Sequence, residues 1–261
     1  MTFPSGRFVW FEYVSKDPSK AQGLFGELSN WKTQHAPAPG LPGGQYTMIA
    51  SGAHTLGGYM ATPPGAPAQG HWLAHLQVEN AAATVTTVKA ANGSVKMEPF
   101  AMGDKGTYAV VADPLGGVFA LWQPAKAESG EYRGEAGAFC WNELYTDNVA
   151  ASVAFYETIG GFKDAPMDMG PMGTYHVLNS FEKGRAGVMK SPMPGIPQHW
   201  MPYVQVANAD QTIEKAKRLG ADIKVPPNSV PGVGRLAVFV DPQGASLGIL
   251  QPEVATSAGS R

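Results

Sequence analysis

The chain has 261 residues, enough for one large domain or two smaller ones with a buried core that needs neither disulfides nor a structural metal. Its 19 basic and 21 acidic residues give a net charge of −2, which argues against nucleic-acid or anionic-membrane partners. The lone Cys140 excludes an internal disulfide and fits a reducing compartment. Because no apolar run approaches the roughly 18 residues of a membrane span, we predict a cytoplasmic protein.

The sequence contains a tandem repeat of about 125 residues. Segment 8–25 aligns with segment 139–156, which begins 131 residues later, and segment 71–81 aligns with segment 199–209. The Asp-Pro-x-Gly motifs at 113–116 and 241–244 match as well. We therefore predict a first domain at 1–126, a linker at 127–136, a second domain at 137–254 and a flexible tail at 255–261.

Each copy of the repeat divides again into two similar halves. In every half a short apolar strand leads to a helix-capping residue and about three turns of helix, and short β-branched or aromatic runs follow. The fourth helix ends at Gly220, a residue type that favours helix termination. The pattern predicts an α+β fold of four βαβββ units, whose helix caps are Asp17, Asn80, Asn148 and Asn208.

This organisation resembles the vicinal oxygen chelate superfamily, which includes glyoxalase I, extradiol dioxygenases and bleomycin-resistance proteins. The run W-N-E-L-Y-T-D from Trp141, followed by Ala151, Phe155 and Tyr156, is similar to a signature of its two-domain bacterial branch. The resemblance implies a tandem pair of domains, each a curled eight-stranded mixed sheet that forms a cup with flanking helices. Function stays open, because the same fold serves isomerases, dioxygenases, lyases and binding proteins.

In metal-dependent members, His or Glu side chains on the first and late strands of each half bind the ion, and at least three must converge. The resemblance places other residue types at these positions. We therefore expect no cofactor, although Glu12 and His75, both predicted to face the inside of the first cup, keep a divalent metal as the alternative. The matching positions are Trp10, Leu73, 57–60 and the region of Ala120 in the first copy, and Trp141, Met201, 186–189 and the region of Gly248 in the second.

Residues two apart on a strand face the same way, so Glu12 should share the inner face of Trp10, and Glu143 that of Trp141. Together with His75, these carboxylates are the candidate catalytic residues. Their alternative role is structural, as buried polar groups that accept or donate hydrogen bonds within the fold.

Aromatic and methionine side chains recur on the predicted inner strands. Such residues either pack a core or line a small-molecule pocket, and the sequence leaves both interpretations open. The candidate ligand-binding residues are Trp10, Trp141, Tyr46, Tyr175, Tyr108, Tyr203, Met60 and Met189.

Two functions compete on these grounds, with side-chain-filled cups as a third option. The first is a binding protein that holds a small organic molecule, a metabolite or an antibiotic, in an aromatic cup without a metal. The alternative is an enzyme, a lyase, isomerase or dioxygenase, that uses Glu12 with His75, or Glu143, as metal ligands or acid–base groups. In either case we expect a small-molecule partner and a monomer or homodimer.

Overall fold

The computed structural model describes residues 5–38, 41–65, 69–126, 134–192 and 195–253. Most of the predicted linker at 127–136, the last residue of the predicted second domain and the predicted tail at 255–261 lie outside these described residues. Within them, the predicted succession of four βαβββ units is confirmed.

The first copy contains two such units in chain order. Its elements are β1 (Arg7–Ser15), α1 (Pro18–Ser29), β2 (Lys32–Pro37), β3 (Gln45–Ser51), β4 (His54–Ala61), β5 (His71–Gln77), α2 (Ala81–Ala90), β6 (Ser94–Ala101), β7 (Gly106–Ala112) and β8 (Val118–Pro124).

The second copy repeats this order. Its elements are β9 (Phe139–Thr146), α3 (Val149–Gly160), β10 (Lys163–Asp168), β11 (Thr174–Ser180), β12 (Lys183–Lys190), β13 (His199–Gln205), α4 (Ala209–Arg218), β14 (Asp222–Val230), β15 (Gly234–Val240) and β16 (Ser246–Pro252). None of the helices in the described part of the chain is long and apolar enough to cross a membrane.

The four predicted capping residues stand immediately before the four helices. The side chains of Asn80, Asn148 and Asn208 each accept a hydrogen bond from a backbone N–H in the first turn. Asp17 makes no such bond, and α1 begins instead with Pro18, whose fixed φ suits a first helical position. At the end of α4, Gly220 adopts a positive φ of 87° and terminates the helix.

Each copy forms one eight-stranded mixed sheet. The strand order is β2-β3-β4-β1-β5-β8-β7-β6 in the first copy and β10-β11-β12-β9-β13-β16-β15-β14 in the second. Parallel pairs, such as β5 with β8 and β13 with β16, occur beside antiparallel pairs such as β7 with β8. The two sheets have the same topology, so the tandem α+β architecture is confirmed.

Grouped by contacts, the chain also divides into two compact units. The first unit contains β1 up to Tyr13, β5 to β8 from Trp72, and β9 to β12 with the following residues to Pro202. In this unit the Asp-Pro-x-Gly turn is held by a buried network: Asp113 accepts hydrogen bonds from the Tyr156 hydroxyl at 2.8 Å and from the Gln198 side chain. The indole of Trp200 donates to the same hydroxyl at 2.9 Å. The motif therefore forms a turn and also stabilises the buried core of this unit through its hydrogen bonds.

The second unit contains the last residues of β1 with α1 to β4, the described residues 134–140 with the start of β9, and the chain from Tyr203 through α4 to β16. Its polar contacts include a buried hydrogen bond of 2.7 Å from the Trp31 indole to the Gly137 carbonyl. The thiol of Cys140 donates to the Tyr203 carbonyl at 3.5 Å. The lone cysteine thus bonds to the backbone of the neighbouring strand, a structural role.

Candidate functional site

Glu12 on β1, His75 on β5 and Tyr108 on β7 come together in the first copy, and we call them the Glu12 cluster. Glu12 is 8% exposed and His75 is 6% exposed. The distance from His75 Nε2 to Glu12 Oε2 is 3.9 Å, which is too long for a direct hydrogen bond. The rings of His75 and Tyr108 pack with their centroids 5.2 Å apart. The predicted pairing of Glu12 with His75 is therefore present in the fold.

Burial determines the protonation of this cluster. It lowers the pKa of His75 to about 3, because a charged imidazolium would lose its hydration, so the ring is neutral near pH 7. Burial and, to a lesser extent, the negative charge of Glu12 raise the pKa of Tyr108 above its ordinary value. The phenol therefore keeps its proton at neutral pH. The cluster combines a carboxyl group, a neutral imidazole and a neutral phenol.

The Nε2 atom of His75 is buried and has no hydrogen-bond partner among the described residues. Leaving such an atom unsatisfied costs about 1–3 kcal/mol, and buried polar groups in folded proteins rarely lack a partner. A neutral imidazole nitrogen either donates or accepts one hydrogen bond. The cluster therefore has the capacity to bind a polar atom of a ligand or to take part in proton transfer.

In the second copy, three side chains form a linear series of hydrogen bonds that ends at Glu143, and we call it the Glu143 series. The indole of Trp141 donates to the Tyr175 hydroxyl at 2.8 Å, and that hydroxyl donates to Glu143 Oε1 at 2.7 Å. Burial and, to a lesser extent, the charge of Glu143 raise the pKa of Tyr175, so its hydroxyl keeps the proton it donates. The donor capacity of this phenol is used within the protein.

Glycines make room for tyrosine rings on these sheets. A Cβ at Gly187 would lie 1.8 Å from the Tyr175 hydroxyl oxygen, and a Cβ at Gly58 would lie 1.9 Å from that of Tyr46. Both positions therefore require glycine while the tyrosines stay in place. The similar placement of Tyr46 and Tyr175 agrees with their alignment in the sequence repeat.

Tyr203 occupies the position in the second copy that His75 occupies in the first. It is 5% exposed and lies in register with Gly248 on β16, whereas His75 lies in register with Ala120 on β8. A Cβ at Gly248 would come within 2.3 to 2.6 Å of three atoms of the Tyr203 ring. A phenol ring pressed against a glycine thus replaces the imidazole of the first copy.

Three further predicted ligand-binding residues lie on the same two sheets. Trp10, Met60 and Met189 are half-buried side chains on β1, β4 and β12. Their role in ligand binding stays a prediction.

Sequence reasoning named Tyr175 only as a candidate ligand-binding residue and missed the bond that it donates to Glu143. It also missed the packing of Tyr145 against His199, whose ring centroids are 5.5 Å apart. Burial lowers the pKa of His199, partly opposed by its hydrogen bond to the Pro197 carbonyl. The recurrence of a glycine at 58 and 187, each matched by a tyrosine, was the available signal for the Tyr175 contact.

The residues at the metal-ligand positions of the resembled superfamily do not fit a divalent ion. Trp10 and Trp141 supply indoles, Leu73 an aliphatic group and Met201 a thioether, and the Trp141 N–H already donates to Tyr175. Over the described ranges, no group of three or more His, Cys, Asp or Glu side chains is arranged to hold a metal ion. Glu12 and His75 supply two donors, one fewer than such a site needs.

Comparison with known proteins identifies similar chains. A family model described as the Glyoxalase/Bleomycin resistance protein/Dioxygenase superfamily matches residues 11–121. A Mycobacterium tuberculosis protein named "Putative glyoxylase CFP32" is 35% identical over 93% of this chain and 94% of its own length. "Anthracycline biosynthesis protein DnrV" of Streptomyces peucetius is 30% identical over 95% of this chain and 94% of its own length.

Solved structures share the fold at low identity. The Mn(II)-bound glyoxalase from Novosphingobium aromaticivorans has a TM-score of 0.63 at 17% identity, covering 95% of this chain and 82% of that one. The 2,2',3-trihydroxybiphenyl 1,2-dioxygenase from Sphingomonas wittichii has a TM-score of 0.65 at 12% identity, covering 97% and 94%. With its fold, its repeat and relatives similar over almost its full length, the chain belongs to the Glyoxalase/Bleomycin resistance protein/Dioxygenase superfamily.

Proposed function

We propose that this chain binds a small, oxygenated aromatic molecule at the Glu12 cluster without the help of a divalent metal. The observation that carries the proposal is the buried Nε2 of His75, which has no hydrogen-bond partner in the described structure and faces Glu12 at 3.9 Å. Natural proteins usually satisfy such an atom with water, an ion or a ligand. The packed ring of Tyr108 adds an apolar surface against which a planar molecule can stack.

The donor set supports the metal-independent part of the proposal. A catalytic divalent ion takes three or more protein donors and keeps an open position for the substrate. The superfamily's ligand positions carry indole, aliphatic and thioether groups in this chain. A ligand would therefore be held by hydrogen bonds and aromatic contacts instead of by chelation.

The name of one relative suggests the type of ligand. The Streptomyces peucetius relative, 30% identical over nearly the whole chain, is named for anthracycline biosynthesis. Anthracyclines are polycyclic aromatic ketones that carry several hydroxyl groups. We therefore choose an anthracycline as the first probe for this chain.

Metal analysis and ligand titration of the purified protein test the proposal together. We expect less than a stoichiometric amount of any divalent metal, and quenching of tryptophan fluorescence by the anthracycline that is the same with and without EDTA. His75→Phe should weaken this binding about tenfold, as expected for one lost hydrogen bond, whereas the second-copy control Tyr203→Phe should not. A bound metal whose removal abolishes ligand binding would contradict the proposal.

Acid–base catalysis is the second candidate, and the meeting of Glu12, His75 and Tyr108 favours it. A carboxylate beside a neutral imidazole can take a proton from a bound substrate and return it elsewhere. The name of the CFP32 relative, which describes it as a glyoxylase, makes glyoxalase turnover the first activity to assay. If this candidate is right, Glu12→Gln removes metal-free turnover but keeps binding, and the matched Glu143→Gln keeps both.

A further inference from the structure

We infer that Glu12 and His75 together recognise a hydroxyl group of the ligand, and that each chain holds one such ligand, in the first copy. The inference rests on the proposed function and gives the ligand's chemical class: a neutral molecule with a phenolic or alcoholic O–H.

The geometry of the pair suits a single bridging oxygen. An oxygen atom about 2.8 Å from both His75 Nε2 and Glu12 Oε2 has ordinary hydrogen-bond lengths to each. The separation of 3.9 Å between those atoms allows this placement with the oxygen to one side of the line that joins them. One group can therefore satisfy the buried nitrogen and bond to the carboxylate at the same time.

The chemistry of the pair selects a hydroxyl. With the imidazole in its Nε2–H tautomer, a hydroxyl donates its proton to the carboxylate oxygen and accepts the N–H of His75, so both partners are used. A ketone or an ether oxygen has no proton for Glu12. A carboxylate or phosphate would bring a second negative charge beside Glu12 in a buried place, where like charges repel strongly.

The inference does not require Glu12 to lack other bonds. A carboxylate has about four acceptor positions on its two oxygens, so it can accept a ligand hydroxyl in addition to contacts within the protein. The ligand hydroxyl also needs a second polar atom to bond to. His75 Nε2 is such an atom, because it has no hydrogen-bond partner among the described residues.

The second copy has a different residue at this position. Tyr203 stands where His75 stands in the first copy, and its ring lies against Gly248. At this position the second copy therefore has no imidazole nitrogen to share a ligand hydroxyl with the carboxylate. This difference is the reason to expect one ligand per chain.

A matched pair of probes tests the inference on the full chain. 2-Naphthol and 2-methoxynaphthalene share one ring system, and only the first carries an O–H. By isothermal titration calorimetry we expect one 2-naphthol per chain, bound about tenfold more tightly than the methyl ether. In His75→Phe we expect this preference to disappear through loss of 2-naphthol affinity, with the ether bound as before.

A second variant keeps the test valid if His75→Phe fails to fold. His75→Tyr combined with Ala120→Gly reproduces the Tyr203–Gly248 pair, a packing that the same fold already accommodates in the second copy. It should unfold at a temperature close to that of the wild-type chain and lose the preference for 2-naphthol. Tyr203→Phe, the control in the second copy, should keep the preference.

The possible outcomes test hydroxyl recognition separately from the proposed ligand-binding function. Equal binding of the two probes by the wild-type chain, survival of the preference in both His75 variants, or two equivalents of 2-naphthol per chain would overturn the inference. Each of these results leaves metal-independent ligand binding in place. Failure of both naphthalenes and of the anthracycline to bind would contradict the proposed function as well.

Discussion

The two copies of the repeat have the same strand order, yet they treat the same interior position in different ways. The first copy buries His75 beside Glu12 and in register with Ala120. The second copy buries Tyr203 against Gly248. A ring that fills its space can be retained for packing alone, whereas a buried imidazole with an unsatisfied nitrogen costs stability. This comparison agrees with the proposed polar recognition in the first copy.

The carboxylates Glu12 and Glu143 also have different surroundings in the two copies. Glu143 accepts the hydroxyl of Tyr175, which in turn accepts the Trp141 indole, so this series of bonds is complete within the protein. Glu12 faces a nitrogen at 3.9 Å that no described residue satisfies. Equivalent carboxylates in the two copies therefore have different neighbours at the position of His75 and Tyr203.

We expect the largest loss of stability from Gly248→Ala in the second copy. The added Cβ would meet the ring of Tyr203 near its attachment to the chain, where the side chain cannot swing away, so the sheet itself must shift. We expect the free energy of unfolding to fall by about 3 kcal/mol, measured by chemical denaturation. As a control, Gly23→Ala in α1 adds a Cβ into open space and should be neutral or stabilising. An unchanged stability of the Gly248 variant would contradict the packing described for the second copy.

A smaller effect is expected from Tyr175→Phe. Removing the hydroxyl leaves the Trp141 indole without its acceptor and Glu143 without this donor, so the free energy of unfolding should fall by about 2 kcal/mol. Tyr108→Phe is the control, because this phenol of the first copy makes no hydrogen bond within the described residues, and it should change stability by less than about 0.5 kcal/mol. Equal losses in the two variants would contradict the stabilising role given to the Tyr175 hydroxyl.

The smallest effect, counted per pH unit, is the pH dependence that the buried His75 of the first copy should add. Burial lowers the pKa of His75 to about 3 in the folded chain, while the unfolded chain has an ordinary histidine pKa near 6.5. Between these values the unfolded state binds more protons, so stability is lost as pH falls from about 6.5 towards 3. His75 should contribute up to about 1.4 kcal/mol per pH unit in this range.

Denaturation of the wild-type and His75→Phe chains at pH 7, 6, 5 and 4 isolates this contribution, because the other titrating groups are common to both proteins. The wild-type curve should fall more steeply than that of the variant. Parallel curves would mean that His75 is not a buried neutral histidine in the folded protein.

Much of the architecture follows from the sequence because it is encoded over short distances. The helix starts after Asn80, Asn148 and Asn208 depend on a side chain bonding to a backbone group three residues away, and such patterns can be read along the chain. The alignment of the two repeat copies can also be read along the chain, and it predicts the tandem α+β fold.

Strand alternation, also a local property, predicted that Glu12 and His75 face the inside of the first copy. The repeat, the elements and these two candidate residues could therefore be read along the chain. The three-dimensional fold was needed to show that Glu12 and His75 lie 3.9 Å apart, that Tyr175 donates to Glu143, that Tyr203 packs on Gly248 and that His75 Nε2 has no partner among the described residues. These contacts join residues on different strands, and they depend on strand register and ring direction, which no local pattern specifies.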